Sequence, residues 1–417
     1  MLATSLLGCI TAQAGTEPGA EAMSSPSSAT GLLVGKFPGE TAYDKIWSAF
    51  TLYKDENNQV LQEFSLQGRL QVQMADGHAD NGHFDMQDYK SAEVNKGKDF
   101  WGDNFEVRRT RLGFKSKWFQ NWKLEGQIDV DTDGSGAVKD SDFYKDIYDL
   151  YLTYAPSDAF NASVGKTKLK FGREQEISSK EILTIERSLV SNLFYPGELT
   201  GAWVSGKGIQ EHWLYELGVY GSDRVREFSE LDSGAVILGK IGYDYTSQSG
   251  LDSAVASFHY MHNTAPGNKS TKVDPEFSFS SSPSFTDSIA LTNDIVQGRF
   301  GLTTDVLYGF GDSDLKQSDV YGISLIPSYF IADGLQLVGR LQYAVGTDPQ
   351  GISLPGRYEN YAPSTDKKGN TYTSAYAGLN YYLYGHKLKV MTGVEYSMLG
   401  GGDYDGYTIM SGLRMSF

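Results

Sequence analysis

The sequence predicts an all-β fold, a transmembrane barrel of about 16 antiparallel strands. Three observations predict it. From Phe64 to Phe417 the chain is a ladder of short segments with one apolar and one polar parity. The connections between them alternate long, short, long, short. The last segment, 407–417, ends on an aromatic residue. A soluble fold has no reason to sort its loops by parity. A transmembrane barrel has tight turns on one side of the membrane and long loops on the other.

Composition fits that reading and removes others. The chain has 417 residues, 40 % of them hydrophobic, with a mean hydropathy of −0.36. After the N-terminus it holds no apolar run of roughly 18 residues, which excludes a helical membrane protein. A barrel passes that test because only alternate residues meet lipid. The 27 Tyr, 21 Phe and 47 Gly beside 12 Pro suit a large antiparallel sheet. A net charge of −16 argues against nucleic-acid binding. Any anion preference must therefore come from where the basic residues stand.

Residues 1–22 read as a signal peptide and leader. An apolar stretch, 2–12, precedes Ala12-Gln13-Ala14, a small-x-small site that places cleavage after Ala14. The box Leu6-Leu7-Gly8-Cys9 leaves lipidation of Cys9 open. Cys9 is the single cysteine, so disulfides are not expected. Residues 23–63 carry Tyr43, Trp47, Phe50 and Tyr53 and read as a periplasmic segment, either a plug or a lid.

The barrel domain spans 64–417. In 64–75, Phe64, Leu66, Leu70, Val72 and Met74 share one parity, and Gln67, Arg69, Gln71 and Gln73 the other. That is a period-2 strand. A long connection leads to strand two, 105–118, and a tight turn at Phe119-Gln120-Asn121 leads to strand three, 122–131. Trp118 and Trp122 flank that turn on the apolar parity, where an interfacial aromatic girdle belongs. Strands 146–154 and 160–168 turn at Ala155-Pro156-Ser157-Asp158. Strands 201–205 and 213–221 turn at Gly206-Lys207-Gly208. Further pairs follow at 235–245 and 252–261, 288–296 and 299–310, 319–329 and 335–345, and 373–384 and 387–396. Strand 404–417 completes the set. Every short turn falls between two long connections, which places both termini on the periplasmic side. Closure gives each backbone N–H and C=O a partner in lipid.

Strand two carries the sharpest functional pattern. Arg109, Arg111, Lys115 and Lys117 share one parity, and Leu112, Phe114 and Trp118 the other. The basic set must face water, because Arg or Lys at the membrane midplane costs about 2–4 kcal/mol. Closure sets the last strand beside the first, so Arg414 and Arg69 join this row, with Lys387 and Lys389 one strand further. Glu125, Asp129 and Asp149 share the lumen parity. Two readings stay open: a row that attracts anions, or a solvated interior without selectivity. Glu106 and Arg108 fall on the lipid parity, at headgroup level or at a subunit interface.

Several stretches resemble the phosphate-selective porin O and P family. They are Glu106-Val107-Arg108-Arg109-Thr110-Arg111-Leu112-Gly113, Asp149-Leu150-Tyr151-Leu152-Thr153-Tyr154 and Val164-Gly165-Lys166. Ser178-Ser179, Thr184, Glu186-Arg187-Ser188, Phe194 and Pro196 add to the likeness, which is strongest over 64–245. The resemblance implies a sixteen-stranded outer-membrane barrel, a homotrimer, an inward-folded third loop and basic pore residues. The third loop is then 169–199. Lys166, Lys168, Lys170 and Arg173 stand at its start, and Lys180, Glu186 and Arg187 point into the channel. Ser178 or Ser179 fits a helix N-cap, with Ile182, Leu183 and Ile185 against the wall. One departure weakens phosphate specificity: Glu198 and Thr200 follow Pro196 where basic residues are expected.

Asp129, Asp131, Asp133, Gly134 and Asp140 match positions of a Ca²⁺ loop. The flanks are strands, however, and the last ligand is Asp rather than Glu; the plain alternative is an acidic loop. The six His lack zinc-ligand spacing. No phosphate-cradling Gly–Lys loop or nucleophile elbow is present. The expected function is therefore a passive, water-filled outer-membrane channel, set in lipid, without cofactor or chemical step. It would pass small hydrophilic solutes, with phosphate or other anions among them. The rival readings are an outer-membrane barrel enzyme and a secreted β-rich binding or adhesive protein.

Overall fold

The structure, a computed structural model, describes residues 41–80, 82–85, 105–130, 143–267, 285–311, 318–362 and 366–417. Sixteen long strands make the wall. They are β1 Leu61–Ala79, β2 Phe105–Trp118, β3 Trp122–Val130, β4 Tyr144–Ser157, β5 Phe160–Lys168, β6 Glu198–Ile209, β7 Trp213–Gly221 and β8 Ala235–Asp244. They continue as β9 Ser253–Asn263, β10 Asp287–Gln297, β11 Phe300–Phe310, β12 Val320–Ala332, β13 Leu335–Gly346, β14 Thr371–Tyr384, β15 Leu388–Gly400 and β16 Tyr404–Ser416. Each pairs antiparallel with the next. β16 returns to β1, with Arg69 opposite Ser416 and Ala79 opposite Gly406, so the sheet closes.

The expected count and closure hold, while several strand ends move. β6 covers Glu198–Ile209 rather than 201–205. Its turn lies at Gln210 and Glu211, whose φ angles are 50° and 70°. The expected turn at Gly206-Lys207-Gly208 is instead a bulge in the β6–β7 ladder. Glycines serve bulges as readily as turns, and the spacing alone does not separate the two.

Alternation builds the wall. In β12 the buried residues Val320, Gly322, Ser324 and Ile326 face inward, and Tyr321 and Ile323 face outward. Trp122 and Tyr154 meet outside the short-turn end with ring centroids 5.0 Å apart. The apolar core lies inside the ring. Phe171, Ile185, Leu189, Val190 and Phe194 of the 169–197 connection cluster with Leu238, Met261, Leu307, Val320 and Val338 of the wall. Each such side chain contributes about 1.5–3 kcal/mol by leaving water.

The N-terminal segment closes the seam between the first and last strands. Helix α1, Ala42–Ser48, starts at a capping box between Thr41 and Asp44. Trp47 Nε1 donates to the Ser416 carbonyl at 2.6 Å. The short strand Thr51–Lys54 pairs with β1 where β16 has ended, with Tyr53 opposite Phe64. The barrel therefore begins at Leu61, three residues before the expected boundary of 64. The signal peptide and leader lie outside the described residues.

Candidate functional site

At the edge of the basic face of β2 one residue breaks the alternation. Gln71 opposes Arg109, yet Val72 opposes Val107, so Arg108 is a bulge. Parity inverts there. Glu106 and Arg108, expected on the lipid side, are instead turned inward. Glu106 is 3 % exposed and meets Gln73 at 2.8 Å. Arg108 Nε donates to Glu186 at 2.6 Å.

The expected basic residues differ in their partners. Arg69 donates to Ser179 Oγ at 2.5 Å and to Gln127 at 3.0 Å. Arg109 donates to Gln71 at 2.9 Å. Arg414 donates to Gln71 and Gln73, both at 2.7 Å, and to the Ile185 carbonyl at 2.6 Å. Among the described residues, all of these acceptors are neutral. Arg111 is different: its Nε and NH2 both donate to Asp129, and its guanidinium carbon lies 3.1 Å from the Tyr148 ring centroid. Lys115 approaches Glu125 at 4.0 Å. Lys117 opposes Lys123 near the short-turn end. Lys389 is buried and donates to the Ile182 carbonyl at 2.6 Å. Lys387 stays at the turn, over the Tyr384 ring.

The connection 169–197 is gripped from many sides of the ring. Its carbonyls at Ser179, Ile182, Leu183, Ile185 and Glu186 accept from Gln71, Lys389, Asn380, Arg414 and Arg340 respectively, at 2.6 to 2.8 Å. These donors stand on β1, β15, β14, β16 and β13. These five strands are consecutive neighbours in the wall. The helix expected after Ser178 stops at a single turn, Ile182 N–H to the Ser178 carbonyl at 3.1 Å, because side chains take the carbonyls that follow. The helices are shorter and elsewhere: α2, Arg173–Glu176, and α3, Leu189–Leu193, capped by Ser188. Arg173 NH2 binds Asp294 at 2.8 Å, and Asp305 accepts from the backbone N–H groups of Arg173 and Glu174 at 2.6 and 2.8 Å. Arg187 folds back on the carbonyls of Glu174 and Ile177, so it braces the segment rather than pointing into the channel.

The apolar side of this segment docks on β8–β13, which leaves space along the basic wall. A pocket remains there, lined by Arg69, Lys115, Lys168, Lys170 and Lys180 together with Glu125 and Asp149. Lys168 Nζ also binds the Gln175 carbonyl at 2.5 Å. Lys166 lies elsewhere. It shares its parity with Val164, which is 57 % exposed, and donates to the carbonyls of Val225 and Arg226 at 2.7 and 3.0 Å. It fastens the 222–234 connection over the strand ends. Glu198, the unexpected acid, pairs with Arg224 of that same connection at 2.5 Å.

A second connection enters the mouth. Arg357 pairs with Glu106, and Gln73 donates to the Tyr358 hydroxyl, which donates to Glu106 at 3.2 Å. Glu359 accepts from Tyr372 at 2.9 Å and from Ser397 at 2.5 Å. Tyr358 holds φ 64° and ψ −82°, a strained conformation that these anchors maintain. Sequence reasoning missed this contact because a loop insertion leaves no periodicity. It also passed over Arg340, held by Glu395 with both contacts at 2.8 Å. Arg340 stands on the inward parity of β13 with Gln336, Val338 and Gln342, so alternation could have found it. Of the suggested Ca²⁺ ligands, Asp129 is engaged by Arg111; Asp131, Asp133 and Asp140 lie outside the described residues.

A closed sixteen-stranded barrel with an apolar outside, tight turns at one end and charged side chains within defines an outer-membrane porin. The family model described as phosphate-selective porin O and P matches residues 79–249, which bears out the resemblance seen in the sequence. No curated protein matches the chain significantly in sequence. Solved structures share the fold. The outer membrane channel DcaP of Acinetobacter baumannii is 16 % identical with a TM-score of 0.50, covering 88 % of this chain and 100 % of that one. OprB of Pseudomonas putida is 11 % identical with a TM-score of 0.52, covering 90 % and 96 %. The anion-selective porin of Comamonas acidovorans is 11 % identical with a TM-score of 0.50, covering 85 % and 99 %. The chain is an outer-membrane channel.

Proposed function

We propose that this channel passes small hydrophilic solutes downhill and prefers anions, phosphate among them, without any chemical step. One observation carries the preference. Arg69, Arg109 and Arg414 stand inside the wall with only neutral acceptors among the described residues. A guanidinium removed from bulk water and without a carboxylate hydrogen-bonded to it attracts a mobile anion. The Arg111–Asp129 and Lys115–Glu125 pairs border it and moderate the field. The likeness to an anion-selective porin supports the preference, and the likeness to a neighbour solved in a trimer form supports assembly of three such channels.

Planar-bilayer recording under a potassium chloride gradient tests this reading. The expected result is stepwise conductance with a reversal potential of the sign for chloride. A reversal potential of the opposite sign overturns the preference, and an absence of steps overturns the channel.

A further inference from the structure

The inference concerns Glu186 and rests on the anion-channel reading. The Glu186 carboxylate accepts from Arg108 Nε at 2.6 Å and Arg108 NH2 at 3.2 Å, and from Gln73 Nε2 at 2.7 Å. This is the two-pronged grip a guanidinium gives to any small oxyanion, whether carboxylate or phosphate. Gln73 also accepts from Arg414 at 2.7 Å, so the pair adjoins one of the arginines with neutral acceptors. The side chains of Arg108 and Glu186 keep 19 % and 17 % exposure. Water and ions in the lumen therefore reach them.

The backbone of Glu186 is secured independently of its carboxylate. Its carbonyl accepts from Arg340 at 2.6 Å and from Thr184 Oγ1 at 2.8 Å. Arg340 is in turn fixed by Glu395. The carboxylate is thus not what holds the mount. Its release leaves the segment in place.

We propose that Glu186 is a tethered counter-anion: it occupies the oxyanion position at Arg108 and thereby sets how tightly the channel holds its solute. A passing oxyanion must displace it. The displacement weakens binding, and weak binding favours throughput, since an ion held too firmly does not leave. Glu186 is in this sense a specificity-determining residue, supplied by the chain itself.

The test uses the full-length protein in planar bilayers, with inorganic phosphate as the probe. Chloride current is titrated with phosphate in wild type, Glu186→Gln and the double variant Glu186→Gln/Arg108→Gln. A charge-assisted hydrogen-bonded pair is at stake, so Glu186→Gln is expected to lower the half-blocking phosphate concentration by about tenfold or more. The double variant should lose that gain. Glu186→Asp keeps the charge on a shorter arm and should move the block in the same direction, by less. It serves if the Gln variant does not assemble. An unchanged half-blocking concentration in the assembled variants overturns the proposal. If the wild type is anion-preferring and only these titrations stay flat, the channel reading stands and the tether alone is wrong. If the wild type prefers cations, the reading beneath it has failed instead.

Discussion

Phe50 is stacked on Phe417, with ring centroids 3.8 Å apart and planes 16° from parallel. The N-terminal segment therefore caps the last residue of the barrel. Gly68 makes room: a Cβ there would lie 2.5 Å from the Phe417 ring. The stack joins three stretches, the N-terminal segment, β1 and β16, at the seam where the ring closes. Phe50→Ala is expected to destabilise the barrel by about 2 kcal/mol, less than a fully buried Phe→Ala change. Leu52→Ala, at a position 58 % exposed, is the control and should change little. Thermal unfolding in detergent, read as the loss of the fast-migrating folded band, checks both.

The partners of the arginines rank their effects on selectivity. Arg109 has a neutral acceptor, whereas Arg111 is neutralised by Asp129. Arg109→Gln should shift the reversal potential toward cations more than Arg111→Gln does. Arg414→Gln should shift it too. It also removes the donor to the Ile185 carbonyl, so it should raise conductance by loosening the 169–197 segment. Equal shifts for Arg109→Gln and Arg111→Gln would mean that pairing does not govern the field.

Loop residue Glu359 gives a pH dependence. Burial, joined by the nearby charge of Glu395, pushes its carboxyl up to about 8, against the hydrogen bonds from Ser397 and Tyr372. The sign follows from linkage. Between its ordinary value of 4.5 and about 8, the folded protein keeps a proton that the unfolded chain releases. Stability therefore falls as pH rises through that window. The midpoint of thermal unfolding should drop between about pH 4.5 and pH 8 and level off above that. Glu359→Gln should flatten that slope. A slope unchanged by the substitution would assign it to another group.

The wall was largely legible in the sequence, because lipid and water impose period-2 alternation on every strand. Arg69, Arg109 and Arg414 could be placed inside by parity alone. The lumen contents were not legible to the same degree. Ile185 was expected against the wall and is buried there, whereas Val190 and Phe194 read as loop residues, since nothing in their spacing shows that the opposing strand faces also carry apolar residues such as Leu307 and Val338. Lys166 was misplaced because its covering connection, 222–234, is distant in sequence. Glu106 and Arg108 were misplaced because a single extra residue inverts the parity beyond it.

That extra residue gives the sharpest structural prediction. Arg108 sits unpaired between the Gln71–Arg109 and Val72–Val107 pairs. Deleting it would restore strict alternation along β2. Glu106 would then turn toward the outer face and leave Arg357, Tyr358 and Gln73. An outward acid costs less than the 2–4 kcal/mol typical of a basic residue at the midplane, but each charged hydrogen bond lost adds roughly 1.5–3 kcal/mol. Substitution is gentler: Arg108→Gln keeps the bulge, and with it the direction of Glu106. The deletion should therefore abolish or strongly reduce the heat-modifiable folded band, while Arg108→Gln retains it with a lower midpoint. The comparison separates the geometry of the extra residue from the charge it carries. A deletion variant that folds and melts like wild type would show that the contacts of Glu106, and not the bulge, direct this part of the strand.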